Sequence, residues 1–263
     1  MKVRYIRTLK RQKNIQMNKK IIQPTAILVL LSGIFFGAAP ECSGQELSLS
    51  KYGIPVLNSV SLYRESVKKD SLQKMVDLQE LIPGIVLDLR YADTNNFMRQ
   101  RMYPKNTRHS FMRVPATGAL AKVQKELNSQ GLGLKIFDAY RPYAVTEKFW
   151  ELVHDERYVA DPKKGSGHNR GVAVDLTLID LKTKKELPMP TGFDNFTDSA
   201  HHDFMNLTEE VLKNRKLLKE TMEKFGFLAF PTEWWHYSLP DPEKYPVLDL
   251  SFADLRKSNH NNQ

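Results

Sequence analysis

His168, Asp175 and His236 are side chains that can hold a divalent metal through N, O and N, and Glu233 is a carboxylate able to carry a proton. The first two lie in Ser166-Gly167-His168-Asn169-Arg170-Gly171-Val172-Ala173-Val174-Asp175, the others in Glu233-Trp234-Trp235-His236-Tyr237. Two histidines, one carboxylate and one open position make a catalytic zinc pattern, the open position holding a water for hydrolysis.

Each half also has a plainer reading. His168 can cap a turn and Asp175 can form a salt bridge, and no HExxH or CxxC pair forces a shared metal. Against this stands the cost of burying a lone carboxylate in an apolar strand, several kcal/mol unless it is paired or binds a cation. Glu233 and His236 are three apart, so strict strand alternation separates their faces. They reach one site only if the chain bends near Pro231-Thr232-Glu233. Otherwise Trp234, Trp235 and Tyr237 make a core strand and Glu233 is a solvated edge acid. In Asp138-Ala139-Tyr140-Arg141-Pro142, Arg141 either holds a carbonyl oxygen as it gains charge or pairs with Asp138 or Asp175. His201-His202 is a rival metal pair, but adjacent residues rarely chelate one ion. His109, His154 and His260 have no supporting context and default to the surface.

These residues need a frame. Ile85 to Arg90 reads as a strand after the Pro83-Gly84 turn. Leu120, Val123 and Leu127 are spaced for a helix that Gly131 stops. Leu134 to Phe137 reads as a strand ending at Asp138, and Val145, Phe149 and Leu152 as a helix after Pro142. Val172, Val174, Leu176 and Leu178 alternate with Ala173, Asp175, Thr177 and Ile179, which places Asp175 opposite the valines. A helix over 207–225 carries Leu207, Val211, Leu218, Met222 and Phe225 and ends at Gly226. Asn206 with Glu209 has capping-box spacing. A last strand runs from Trp234 to Leu239. Strands and helices mix without regular alternation, so the expected fold class is α+β: a single domain with a largely antiparallel sheet and flanking helices.

Ala26 to Ala39 is an apolar run too short for a comfortable membrane span. Lys19 and Lys20 precede it and small residues follow, the order of a secretory signal. Residues 1–44 are therefore expected to be a signal peptide, with Met17 an alternative start and cleavage near Gly44. A lipid anchor on Cys42 is the rival, disfavoured by Glu41. The expected location is outside the cytoplasm, in the periplasm, with no membrane span after cleavage. The chain has a net charge of +9, but residues 1–44 hold eight Lys/Arg and one acid, so the remainder is near +2. Basicity thus belongs to the leader and gives no ground for nucleic-acid binding. Cys42 is the only cysteine, so the remaining chain needs no disulfide. Residues 45–79 read as a polar lead-in with partial order, 80–250 as the catalytic domain and 251–263 as a polar tail.

With these residues in view, the chain resembles the D-alanyl-D-alanine dipeptidases, zinc metallopeptidases related to the vancomycin-resistance dipeptidase. The likeness runs over roughly 80 to 245. It passes through Asp88-Leu89-Arg90-Tyr91-Ala92 with Asn96-Phe97, Asp138 to Pro142, Ser166 to Asp175, Met189 to Asp194, Ser199 to His202, and Glu233 to Tyr237. The resemblance implies one zinc per chain on His168, Asp175 and His236, Glu233 as general base then acid, and Arg141 as oxyanion stabiliser. It implies a small D-amino-acid dipeptide as substrate, with Asp194 and Tyr91 meeting its ammonium and Ser166 and Phe149 shaping the pocket. The implied fold is that of small α+β zinc peptidases. One departure is Ser166-Gly167, where the resistance enzyme has a serine pair, which implies the loss of one side-chain hydrogen bond to substrate. A carboxypeptidase acting on longer muropeptides and a non-catalytic wall-binding module are the competing functions.

Overall fold

The computed structural model describes residues 47–260. In chain order they form β1 (Ser48–Leu49), β2 (Pro55–Leu57), α1 (Val60–Lys69), β3 (Met75–Asp77), α2 (Leu78–Leu81), β4 (Val86–Leu87), β5 (Phe111–Arg113) and α3 (Val114–Asn128). There follow β6 (Leu132–Asp138), α4 (Tyr143–Val153), β7 (Ala173–Asp180), α5 (Glu209–Lys224), β8 (Leu228–Ala229), β9 (His236–Ser238), β10 (Val247–Leu248) and α6 (Phe252–His260). The central sheet has the order β4-β6-β7-β9-β8. Only β4 and β6 run parallel in it; the other neighbours are antiparallel. The fold is a mixed α+β domain, as the sequence leads one to expect.

The alternation along β7 decides what each face of the sheet does. Val174, Leu176 and Leu178 pack with Leu134, Ile136 and Tyr237 against Leu120, Val123 and Leu127 of α3 and Leu218 and Met222 of α5. Asp175, one residue out of phase, faces the other way, beside His236. Pro115 sits in the first turn of α3, where its missing N–H has no cost. Gly226, at φ +93°, follows Phe225, the C-cap of α5, in a conformation that suits glycine.

Several boundaries differ from expectation. The N-cap of α5 is Thr208, whose Oγ1 accepts from Val211 N at 3.4 Å, so Asn206 and Glu209 form no capping box. β9 spans 236–238 rather than 234–239, because the chain turns through 230–233 before it enters the sheet. β4 is limited to Val86 and Leu87, since Arg90–Ala92 coils into a 3-10 turn. Residues from 47 to 79, read as a partly ordered lead-in, are built into the fold: β2 pairs with β10, β3 pairs with β5, and Val56, Leu57, Tyr63 and Met75 are buried. The expected polar tail is largely α6, with Leu255 fully buried. In both segments the partners are distant in sequence, so local periodicity carries little signal. The expected signal peptide at 1–44 and the anchor at Cys42 lie outside the described residues. Among those described, no helix is long and apolar enough to cross a membrane.

His202 lies on the α5 side of the sheet. Its ring stands 6.1 Å from that of Tyr237, edge to face, and neither ring nitrogen has a hydrogen-bond partner among the described residues. Burial, then the charges of Lys219 and Arg215, push its imidazole from 6.5 down to about 4. Between these values the unfolded chain binds a proton that the fold refuses. The His202 contribution to stability should therefore be level above about pH 6.5 and fall as pH drops towards 4. Urea midpoints at pH 7 and 4.5 check this: His202→Phe should lose less than wild type, and equal losses would assign the acid sensitivity to other groups.

Candidate metal centre and its cavity

Asp175 and His236 are direct cross-strand partners on β7 and β9, so sheet register alone brings them together. The His236 Nδ1–Asp175 Oδ1 distance is 2.8 Å. His168 comes from the loop before β7, with Nε2 3.4 Å from Asp175 Oδ2 and 3.3 Å from His236 Nδ1. The ligand atoms of these three lie within 4.8 Å of one another. Tetrahedral zinc with bonds of roughly 2.0–2.2 Å needs donors about 3.3 Å apart, so the set fits one ion. His168 Nδ1 is 2.7 Å from the carbonyl of Ala139 and donates to it. That bond fixes the tautomer and leaves the Nε2 lone pair for a metal. Burial alone would raise the Asp175 carboxyl, but His168 and His236 outweigh it and hold the group well below the usual range.

The His168 loop is locked to the turn after β6. Arg141 N donates to His168 O at 3.2 Å. Asn169 Nδ2 donates to Arg141 O and Thr146 Oγ1, while Asn169 Oδ1 accepts from Ser166 N. Gly167 answers the question its departure raises. A Cβ there would stand 2.8 Å from Ala173 Cβ and 3.0 Å from Ser238 Oγ. A side chain at 167 thus points into the β7–β9 surface, and glycine is what lets the loop lie on those strands. Gly167→Ala should push His168 off its position and weaken zinc binding by about 10-fold or more. Competition with a chromogenic chelator checks this; unchanged affinity would mean that the loop relaxes without moving its ligand.

Glu233 stands in the turn where Glu233 N donates to Phe230 O at 3.2 Å and His236 N donates to Glu233 O at 3.2 Å. The bend at 231–233 brings Glu233 and His236 to the same cavity despite their spacing. Burial pushes the Glu233 carboxyl up, with His236 opposing. Trp234 and Trp235 are core residues, as the plainer reading of this segment also had them.

Arg141 does pair with Asp138, through Nε at 3.0 Å and Nη2 at 2.8 Å to Oδ2. It also lines the cavity, its guanidinium 5.2 Å from the Tyr91 ring centre and 5.0 Å from that of Phe149. The two readings of Arg141 are thus compatible. Tyr103 Oη donates to the other oxygen of Asp138 at 2.5 Å, an anchor that no local pattern announces. Asp194 is reached by Tyr91 Oη at 3.1 and 3.2 Å. Its φ of +62° is uncommon for a residue with a Cβ, though aspartate tolerates it better than most. Burial, then the charge of Asp175, pushes its carboxyl well above the usual range. Ser166 lines the cavity and its Oγ accepts from Asn169 N, and Phe149 is buried beneath Tyr91. The cavity beside His168, Asp175 and His236 has a volume of about 660 Å³, within the range of small-ligand sites.

The remaining histidines divide. His201 lines the cavity while His202 lies against Tyr237, so the two do not chelate together. His109 Nδ1 is 2.6 Å from Oδ2 of buried Asp77, a better partnered position than the surface default. His154 caps α4 in the left-handed region.

Comparison with known proteins adds three findings. The model of the peptidase M15 family, described as D-Ala-D-Ala dipeptidase, matches residues 71–258. The D-alanyl-D-alanine dipeptidase of Escherichia coli (strain K12) is 34% identical over 180 residues, covering 68% of this chain and 92% of that protein. The D-alanyl-D-alanine dipeptidase of Enterococcus faecium is 30% identical over 187 residues, covering 64% of this chain and 92% of its own.

Proposed function

The chain belongs to the D-Ala-D-Ala dipeptidase family of peptidases, and from that premise we propose that it hydrolyses the free D-Ala-D-Ala dipeptide to two D-alanines. His168, Asp175 and His236 would hold one zinc ion, which supplies an acidified water and polarises the scissile carbonyl. Glu233 takes the proton of the attacking water and delivers it to the leaving amine. Arg141, fixed by Asp138, stabilises the oxygen that gains negative charge.

The observation that carries this reading is the position of Asp194. A half-buried carboxylate held by Tyr91 lines the same cavity as His168, Asp175, His236 and Glu233. A free dipeptide brings an ammonium to meet it, and Ser166 and Phe149 bound the space around the substrate. An N-acylated substrate brings no charge and leaves Asp194 unpaired.

D-alanine release by the zinc-loaded protein from D-Ala-D-Ala, and from its N-acylated form, tests the proposal. Release from the free dipeptide alone is expected. Release from the acylated form would make the protein a carboxypeptidase of longer muropeptides; release from neither would favour a binding module. We also place the activity outside the cytoplasm, in turnover of wall-derived dipeptides, on the signal-like order of residues 19–44. Fractionation of expressing cells should find the protein exported, and full retention in the cytoplasm would overturn that placement.

A further inference from the structure

Glu233 is held by its backbone. Among the described residues no donor bonds its carboxylate, so its place in the cavity depends on the turn that carries it. That turn is tied on its outer side by two hydrogen bonds to one neighbouring segment: Trp234 N donates to Ala200 O at 3.0 Å, and His202 N donates to Pro231 O at 2.9 Å. The 200–204 segment starts at Ala200, the buried end of a 3-10 turn, and has no sheet of its own. Arg215 of α5 ties its far part to the helix, Nη1 donating to His201 O at 2.9 Å and to Phe204 O at 2.7 Å.

Arg215 is an unusual choice for a merely stabilising contact. It is 5% exposed and has no carboxylate partner within salt-bridge distance among the described residues. A buried guanidinium bonded to carbonyls gives up hydration that an apolar side chain of similar size never has to lose. Its particular ability is geometric: one planar group with several fixed donors can pin two carbonyls three residues apart.

We propose that Arg215 is a positioning residue for Glu233, acting through the 200–204 strap and the 231–234 turn. The inference rests on the reading of Glu233 as proton carrier given above. Arg215 bonds none of the three metal-site residues and does not itself line the cavity, though it bonds the backbone of His201, which does; its effect reaches the site through backbone. Removing it leaves ligand geometry intact and lets the Glu233 turn drift. A misplacement of about 1 Å can cost about 100-fold in rate.

The test compares wild type with R215M and R215K in the purified, zinc-loaded protein, each with and without E233Q. R215M should lower kcat for D-Ala-D-Ala by about 10- to 100-fold, with KM and bound zinc nearly unchanged. R215K, with one compact donor group, should recover part of that loss. In the E233Q background R215M should cost almost nothing more, because its effect runs through the carboxylate already removed. Amide hydrogen exchange supplies a reading independent of activity: the Trp234 and His202 amides should lose protection in R215M while those of β6 keep theirs. Unchanged exchange at Trp234 and His202 would overturn the proposal. So would an R215M loss that multiplies undiminished in the E233Q background. If R215M does not fold, R215K carries both comparisons. Should wild type fail to cleave the dipeptide, the proposed function falls, while the exchange result still decides whether Arg215 holds the turn.

Discussion

Glu233→Gln is expected to lower kcat for D-Ala-D-Ala by about 10²–10⁴-fold while zinc content stays that of wild type. Glutamine keeps the shape and loses the ability to carry the proton. Glu233 is not among the three grouped ligands, so metal affinity has no reason to fall with it. Desolvation in the cavity wall raises the carboxyl above its ordinary value, which suits a group that must both take and return a proton. Steady-state kinetics with parallel metal analysis decide the matter. A kcat within about threefold of wild type would remove Glu233 from the mechanism and leave it a partly exposed structural acid.

Asp194→Ala should act on a different quantity. The wild-type carboxylate is half-buried and bonded to Tyr91, and in the proposed function it pairs with the dipeptide ammonium. Once substrate covers the site, truncating one partner of such a charge pair should cost about 2–5 kcal/mol, roughly 30- to 5,000-fold in kcat/KM. The loss should fall on the free dipeptide. An N-acylated dipeptide has no ammonium to strand, so its kcat/KM should hold or rise, and the ratio between the two substrates should collapse. Equal losses on both substrates would show that Asp194 supports the cavity wall and does not read the ammonium.

Much of this site was legible because its residues sit on elements with strong local signals. The alternation from Val172 to Ile179 placed Asp175 opposite the valines, and the structure puts it there, on the face of β7 away from α3 and α5. Pro231 marked a bend without which Glu233 and His236 could not share a cavity. Other parts were silent for a physical reason. Arg215 lies on a charged amphipathic helix and reads as one more solvated cation; only the fold shows two carbonyls waiting for it. Tyr103 meets Asp138 across a long stretch of chain, and nothing near it in sequence anticipates that bond. The early strands are two or three residues long, and β2 and β3 pair with strands far along the chain, so period-two alternation has no length in which to show. The cap of α5 was misread by two residues, because Asn206 and Thr208 are both residue types that cap helices.

The cross-strand pairing of Asp175 with His236 sets how the gene can change length without losing the site. Neither residue senses how much chain lies between them, only which residues face each other when the strands meet. The exposed turn around Thr183 and Lys184 can therefore accept extra residues while the ligand spacing stays as it is. One residue added inside β9 would do the opposite, turning His236 to the α5 side and carrying Tyr237 towards the cavity. Insertions and deletions in this chain should be tolerated by place and not by size, freely in the hairpin beyond Asp180 and nowhere between Ala173 and Asp175 or between Glu233 and Ser238.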